Sequence, residues 1–469
     1  MKVKSNKLFK NISISVCVQI ISLVTSFVLN LIVPKFISEI NYANWQSYVL
    51  YSTYVSILQF GLIDGLILKY SQYDYNELNK DEIRPQLQLF MSFLTVVAIM
   101  GIAVALFFFN GYLRTLLILL SVAVIVKNYF WNNGSILQIT YRFKEYAILI
   151  ISQKVVYLAV VFLLLCLGVD NFVWYCLADV FGDVFCILFG YKYNKELLFG
   201  RPGKIKDALA NIWDNVKVGI LLIVANLSSS LIVGVAKMIV DWRWGKEVFG
   251  KVAFSFSLSS LFLTFITAVS VVLFPALKRT ENDKLAVMYQ KIRNVITPFL
   301  IFVFLFYFPI VKVVEVWLPN YSISCKYLGI LLPMVLFASR VGLLTNNYFK
   351  VLRKEKSMFV VNVLSVFGAG VLYVIFAYFL DDITWFLISV TVIEAIKYLI
   401  SEIMIVKDLK LTFVLDSVLE FCGVAIFLLS NIVFKGYESL LIYLSYVAIY
   451  FILKLSLKNK RKKDNRGEL

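Results

Sequence analysis

Six basic side chains, Lys127, Lys154, Lys237, Lys312, Arg340 and Lys397, stand inside stretches that are otherwise apolar and about 20 residues long. A cation at the centre of a bilayer costs about 2.5 to 3.5 kcal/mol to insert, so each of these must be paired, snorkel to an interface or face water. Lys312 is close enough to the outer end of its stretch to snorkel. Lys127, Arg340 and Lys397 lie too deep for that, and in a wet cavity their chemistry is the pairing of phosphate or another anion. Two local pairings offer a structural alternative. Asp183 sits at nearly the same depth as Lys154 in the neighbouring antiparallel stretch, and Glu394 stands three residues before Lys397 on one helical face. Either can be a buried ion pair with no part in transport. Lys127 and Arg340 have no such partner nearby in sequence. The carboxylates Asp64, Asp179, Asp183 and Glu394 could carry a proton or a sodium ion, and Asp64, near the end of its stretch, also suits a helix-end role.

Polar residues recur around these cations at helical spacing: Ser15, Gln19, Ser22, Ser26 and Asn30; Lys127, Trp131, Ser135 and Gln138; Asn226, Ser230 and Lys237; and Arg340 with Asn347. Small polar groups also hold helices together, so one stripe alone decides nothing. Four stripes with unpaired cations favour a hydrated lumen of cationic, amide, hydroxyl and aromatic groups. Such a lumen suits a phosphate attached to something rich in hydroxyls, and a lipid-linked glycan meets both conditions. The expected substrate contacts are therefore Lys127, Lys237, Arg340, Lys397, Gln19, Asn30, Trp131, Asn226 and Asn347.

The elements that must position these residues follow from composition. The 469 residues are 61% hydrophobic and 16% charged, with a net charge of +17 and a mean hydropathy of +0.83. That is an all-α polytopic membrane protein. Apolar windows place spans at 12–33, 45–68, 87–109, 115–139, 148–167 and 173–190, then at 217–240, 252–275, 294–318, 328–349, 358–380, 385–406, 416–434 and 439–457. The total is fourteen, or twelve if the last two form a re-entrant pair. Of the 46 Lys and Arg, 33 fall in one set of alternate segments and 7 in the other, which puts both termini in the cytoplasm. Residues 1–190 then form an N-terminal lobe and 217–406 a C-terminal lobe. Residues 191–216 are a cytoplasmic linker whose Ile205, Leu209, Ile212, Trp213 and Val216 describe an interfacial helix and hinge. Spans 13 and 14 occupy 407–457, and the basic tail 458–469 is a stop-transfer flank. The absence of histidine excludes His-dependent acyltransferases and His-ligated metal centres. The six dispersed cysteines suggest neither a disulfide framework nor zinc, and there is no phosphate-binding GxxxxGK[ST] loop. No cofactor, metal or nucleic acid is expected.

Several stretches carry a resemblance: Gly61-Leu62-Ile63-Asp64-Gly65 with Lys69-Tyr70 and Tyr73-Asp74-Tyr75, Val248-Phe249-Gly250-Lys251-Val252-Ala253-Phe254-Ser255, Val272-Leu273-Phe274-Pro275-Ala276-Leu277, Trp317-Leu318-Pro319-Asn320-Tyr321, and Asn346-Asn347-Tyr348-Phe349-Lys350. In their order and spacing over residues 1–410 the sequence resembles the polysaccharide transporters of the multidrug/oligosaccharidyl-lipid/polysaccharide flippase superfamily, the Wzx-type O-antigen flippases in particular. The resemblance implies two six-helix lobes in a V around a central cavity, with two extra C-terminal helices. It also implies a polyprenyl-pyrophosphate-linked oligosaccharide as substrate, the bacterial cytoplasmic (inner) membrane as location, and a polysaccharide polymerase and chain-length regulator as partners. Two other functions compete: a cation-coupled multidrug exporter of the same superfamily, disfavoured by the excess of deep cations, and a membrane glycan polymerase, disfavoured by exterior loops too short to hold two sugar substrates.

Overall fold

In lipid a backbone must satisfy its own hydrogen bonds, and the long apolar runs of this chain do so as α-helices. The computed structural model describes residues 2–71, 73–198, 200, 204–278, 280–412, 414–434 and 436–467, and no strand occurs among them. The chain divides into two compact units, Met1–Ala253 and Phe254–Leu469.

Unit 1 holds α1 (Lys2–Leu31), α2 (Val33–Phe36), α3 (Glu39–Thr53), α4 (Leu62–Tyr70), α5 (Lys80–Phe108), α6 (Gly111–Ile139), α7 (Phe143–Cys166), α8 (Phe172–Leu198) and α9 (Ile205–Arg243). Helix α10 (Gly245–Lys278) begins in this unit and runs on into the next. Helix α8 packs on both α6 and α7, α5 packs on α6, and α9 packs on α4 and α5. The second expected span is broken. A 3-10 turn, Val55–Gln59, leads into two consecutive left-handed residues, Phe60 (φ 50°) and Gly61 (φ 83°), and α4 leaves at 58° to the helix before it. Asn79 starts α5 by accepting from the Glu82 amide at 3.3 Å, with Asp81 and Glu82 in the positive first turn.

Unit 2 holds α11 (Leu285–Val303), α12 (Tyr307–Trp317), α13 (Ser322–Arg340), α14 (Asn346–Val351), α15 (Glu355–Ile375), α16 (Ile383–Asp408), α17 (Val414–Val433) and α18 (Tyr437–Gly467). The segment Pro319–Val351 is its axis, with 89% of its apolar window buried. It packs chiefly on α16, which α15 covers in turn. One π-helical turn, Val341–Thr345, follows Arg340 directly. Helices α17 and α18 share this core: Phe304 meets Phe427 at 4.7 Å between ring centres, and Phe427 meets Tyr443 at 5.2 Å.

Ten helices among the described residues are long and apolar enough to cross a bilayer, or twelve when each of two bent pairs counts as one span. Helices α9 and α10, at 39 and 34 residues, carry the expected spans 217–240 and 252–275, and part of their side chains lie outside the described residues. The expected interfacial helix is not separate. Residues 205–216 continue into the seventh span as one helix, with no proline to interrupt it, and the division between units falls at residue 253. Ile205, Leu209 and Trp213 of that segment are exposed, while Ile212 and Val216 pack against an apolar cluster built on α4 and α5.

Candidate functional site

Each unit encloses a cluster of charged side chains at the depth of the expected cations. In unit 1, α6 contributes Lys127 and α8 contributes Asp179 and Asp183, one helical turn apart. The Lys127 ammonium donates to Asp179 at 2.6 Å and to Asp183 at 3.3 Å. Tyr48 on α3 donates its hydroxyl to Asp179 at 3.2 Å. The Lys127 and Asp179 side chains are 13% and 16% exposed, and Asp183 only 2%. Below Lys127 on the same helix, Asn128 accepts from the Gln59 amide at 2.6 Å and donates to the Val124 carbonyl at 2.6 Å. Lys127 therefore has the partners that sequence proximity did not supply. Lys154, expected opposite Asp183, is half-buried on α7, within the field of Asp179 and Asp183 but with no ion pair inside 4 Å among the described residues.

In unit 2 the cluster is larger and drier. Arg340, at the end of α13, is 1% exposed and donates to Glu402 at 2.8 Å, Thr297 at 2.6 Å and Tyr398 at 3.1 Å. Arg293 of α11 has no exposed side-chain surface and meets Glu402 at 2.9 Å, Glu420 at 3.1 Å and Asp416 at 3.5 Å. Glu420 also accepts from Thr297 at 2.9 Å and Tyr398 at 2.8 Å, and Lys454 of α18 lies 3.6 Å from Asp416. Arg340 is thus not a bare cation waiting for a ligand. It is held by carboxylates from α16 and α17, since a guanidinium at that depth needs charge compensation. Arg293, Glu402, Asp416, Glu420 and Lys454 were not anticipated, although Glu402 and Glu420 fall inside expected spans.

The remaining expected residues divide. Asn347 is buried and spends its amide on the Leu343 carbonyl at 2.7 Å, bridging the π-turn. Trp131 packs into apolar clusters with Leu137, Leu149 and Leu66 as members. Gln19 and Asn30 are half-buried on α1, Lys237 is half-buried on α9, and the Asn226 side chain lies outside the described residues. Lys397 and Glu394 are 1% and 3% exposed on α16, and Glu394 Oε2 has no hydrogen-bond partner. Asp64 is half-buried in the first turn of α4.

At one end of unit 1, Arg142 ties three connections together. Its guanidinium lies 4.0 Å from the Tyr75 ring centre and donates to Thr140 at 2.9 Å, the Tyr193 carbonyl at 2.9 Å and Asn194 at 2.5 Å. Lysine cannot reproduce that fork or the stacking. Arg142→Lys is expected to destabilise the protein by about 1 to 3 kcal/mol, read as a lower apparent Tm of the detergent-solubilised protein.

Known proteins bear on these two units as follows. Residues 47–319, more than half of the chain, match the family described as "Polysaccharide biosynthesis protein". No curated protein sequence matches significantly. Among solved structures the fold is similar to that of a multidrug resistance MATE family transporter of the MOP superfamily in its inward-facing conformation, with a TM-score of 0.61 and 14% identity over 84% of this chain and 95% of that one. It is similar to the lipid II flippase MurJ in an inward closed conformation, with a TM-score of 0.60 and 11% identity over 97% and 100%. An outward-facing MATE family transporter gives a TM-score of 0.54 at 12% identity over 86% and 94%. At such identities the likeness is one of fold, and it agrees with an all-α, multi-pass membrane protein. On the match over 47–319, the chain belongs to the polysaccharide biosynthesis protein family.

Proposed function

We propose that this protein is a flippase that moves a polyprenyl-pyrophosphate-linked oligosaccharide repeat unit from the cytoplasmic to the outer leaflet of the bacterial cytoplasmic membrane by alternating access. The observation that carries this reading is a polysaccharide-biosynthesis match on a chain of membrane helices in which the longest connection between described helices is residues 71–79. Such a chain has room to move a glycan lipid and none for the soluble domain that joining two glycans usually needs. The barrier it lowers is desolvation of the head group, each unpaired polar group costing several kcal/mol in hydrocarbon.

Of the expected substrate cations, Lys127 suits the pyrophosphate best, because it keeps some exposure and its Asp179 partner is also partly exposed. Arg340, whose two terminal nitrogens are spent on Thr297, Tyr398 and Glu402, suits a positioning role instead. The pairing of the deep cations also removes one argument against a cation-coupled exporter, which stays as the second reading. Polymerase and chain-length regulator are the partners this function calls for.

The test is reconstitution in vesicles loaded with lipid-linked oligosaccharide on one leaflet. Protein-dependent arrival of the unmodified lipid on the other leaflet is the expected result. No arrival together with proton-driven export of a cationic dye would replace the flippase with the exporter, and lengthened glycan would replace it with a polymerase.

A further inference from the structure

The Gly61-Leu62-Ile63-Asp64-Gly65 stretch has a second partner in the fold. Helix α4 lies on α9 with almost no side-chain spacer between the backbones. A methyl group added at Gly219 would overlap the Gly61 carbonyl and stand 2.6 Å from the Gly65 amide nitrogen, and one added at Gly65 would stand 2.9 Å from the Asn215 Cα. Higher on α9 the same kind of contact recurs: a methyl at Gly234 would overlap the Tyr54 hydroxyl, which donates to the Ser230 carbonyl at 3.0 Å. Beneath α4 the Asn215 amide donates to Gln86 at 2.8 Å, a polar pair 4% and 0% exposed.

Three features mark this contact as a movable one. Its near end is the 58° break at Phe60 and Gly61, both left-handed, where a few backbone torsions swing the whole of α4. Its far end is tethered through Glu82, which accepts at 2.7 Å from both Lys69 and Tyr70 across a gap where Lys69 is 45% exposed, a bond worth little in water. Between the ends, glycine backbones meet beside apolar packing of Ile212 and Val216, with no ion pair between α4 and α9 among the described residues.

We propose that α4 is a hinged leaf that is closed on α9 in this structure and swings off it about Phe60 and Gly61 in the opposite-facing state, uncovering the Gln86–Asn215 pair to water. The inference rests on the alternating-access reading but not on the identity of the substrate.

The experiment uses the full chain with its six cysteines replaced. Leu66→Cys, a buried position on the leaf itself, is labelled with a membrane-impermeant methanethiosulfonate, with and without Gly219→Ala. Overpacking the contact is expected to raise the labelling rate about tenfold. Gly370→Ala, whose added methyl meets nothing within 4 Å, leaves the rate unchanged. In a second arm, Leu66→Cys with Ile212→Cys, two members of one apolar cluster, is closed with a short bifunctional reagent. Translocation should fall to that of empty vesicles and return on reduction. Equal labelling in folded Gly219→Ala and its parent, or translocation that survives complete cross-linking, overturns the leaf. Labelling that responds in vesicles that never move a lipid-linked glycan supports the leaf and counts against the substrate alone.

Discussion

Glu420→Ala is expected to destabilise unit 2 by about 3 to 5 kcal/mol, because it leaves two guanidinium groups with no route to water to share the single charge of Glu402. Arg293 and Arg340 are 0% and 1% exposed, and Glu420 compensates both while also accepting from Thr297 and Tyr398. Asp416→Ala should cost far less, about 1 kcal/mol or below, since that carboxylate is 15% exposed and stands 3.5 Å from Arg293 and 3.6 Å from Lys454. Fluorescence-detected size-exclusion after a heating series reads both. Equal losses for the two variants would remove Glu420 from the centre of the cluster. A chain ending at Asp408 loses Glu420, Asp416 and Lys454 together, along with the Phe427 and Tyr443 rings. It should not accumulate in membranes, which makes α17 and α18 part of the unit rather than an appendage.

The second large effect concerns Lys127. Lys127→Ala leaves Asp179 and Asp183 facing each other across one helical turn in a buried site, and a loss of about 3 to 5 kcal/mol should follow. Replacing both carboxylates as well, with Asp179→Asn and Asp183→Asn, should restore more than half of it, because the amides need no counter-charge. That restored triple variant separates structure from transport. Stable protein that fails to flip lipid-linked oligosaccharide assigns Lys127 to the substrate. Stable protein that flips it normally confines Lys127 to holding α6 against α8.

Much of this architecture is written in local patterns. Hydropathy runs located the helices, because in a bilayer an apolar stretch of spanning length has few alternatives to a helix, though several helices extend seven to twelve residues beyond their apolar windows. The break at Phe60 and Gly61 was not legible: its glycine sits in a continuous apolar run, and only contact with Gly219, about 160 residues on, explains it. The continuity of residues 205–216 with the next span was hidden for a related reason. An amphipathic pattern predicts which face of a helix is apolar, not whether that helix stops before the next span. Ion partners failed most instructively. Spacing and depth favour Asp183 as the partner of Lys154, whereas Lys127 reaches that carboxylate on α8 from α6, and Arg340 is met by residues 62 and 80 positions away. Glu402 and Glu420 are legible in the spans as acids, but their partners, Arg293 and Arg340, lie on other helices.

Charge balance in the two clusters carries an electrical consequence. With all groups ionised, Lys127 and Lys154 offset Asp179 and Asp183, and Arg293, Arg340 and Lys454 offset Glu402, Asp416 and Glu420. A displacement of either cluster as a block therefore carries no net charge through the membrane potential, whose work is about 2.3 kcal/mol per charge at 100 mV. Voltage would act on whatever cargo or ion travels with the protein and leave these two centres indifferent to it.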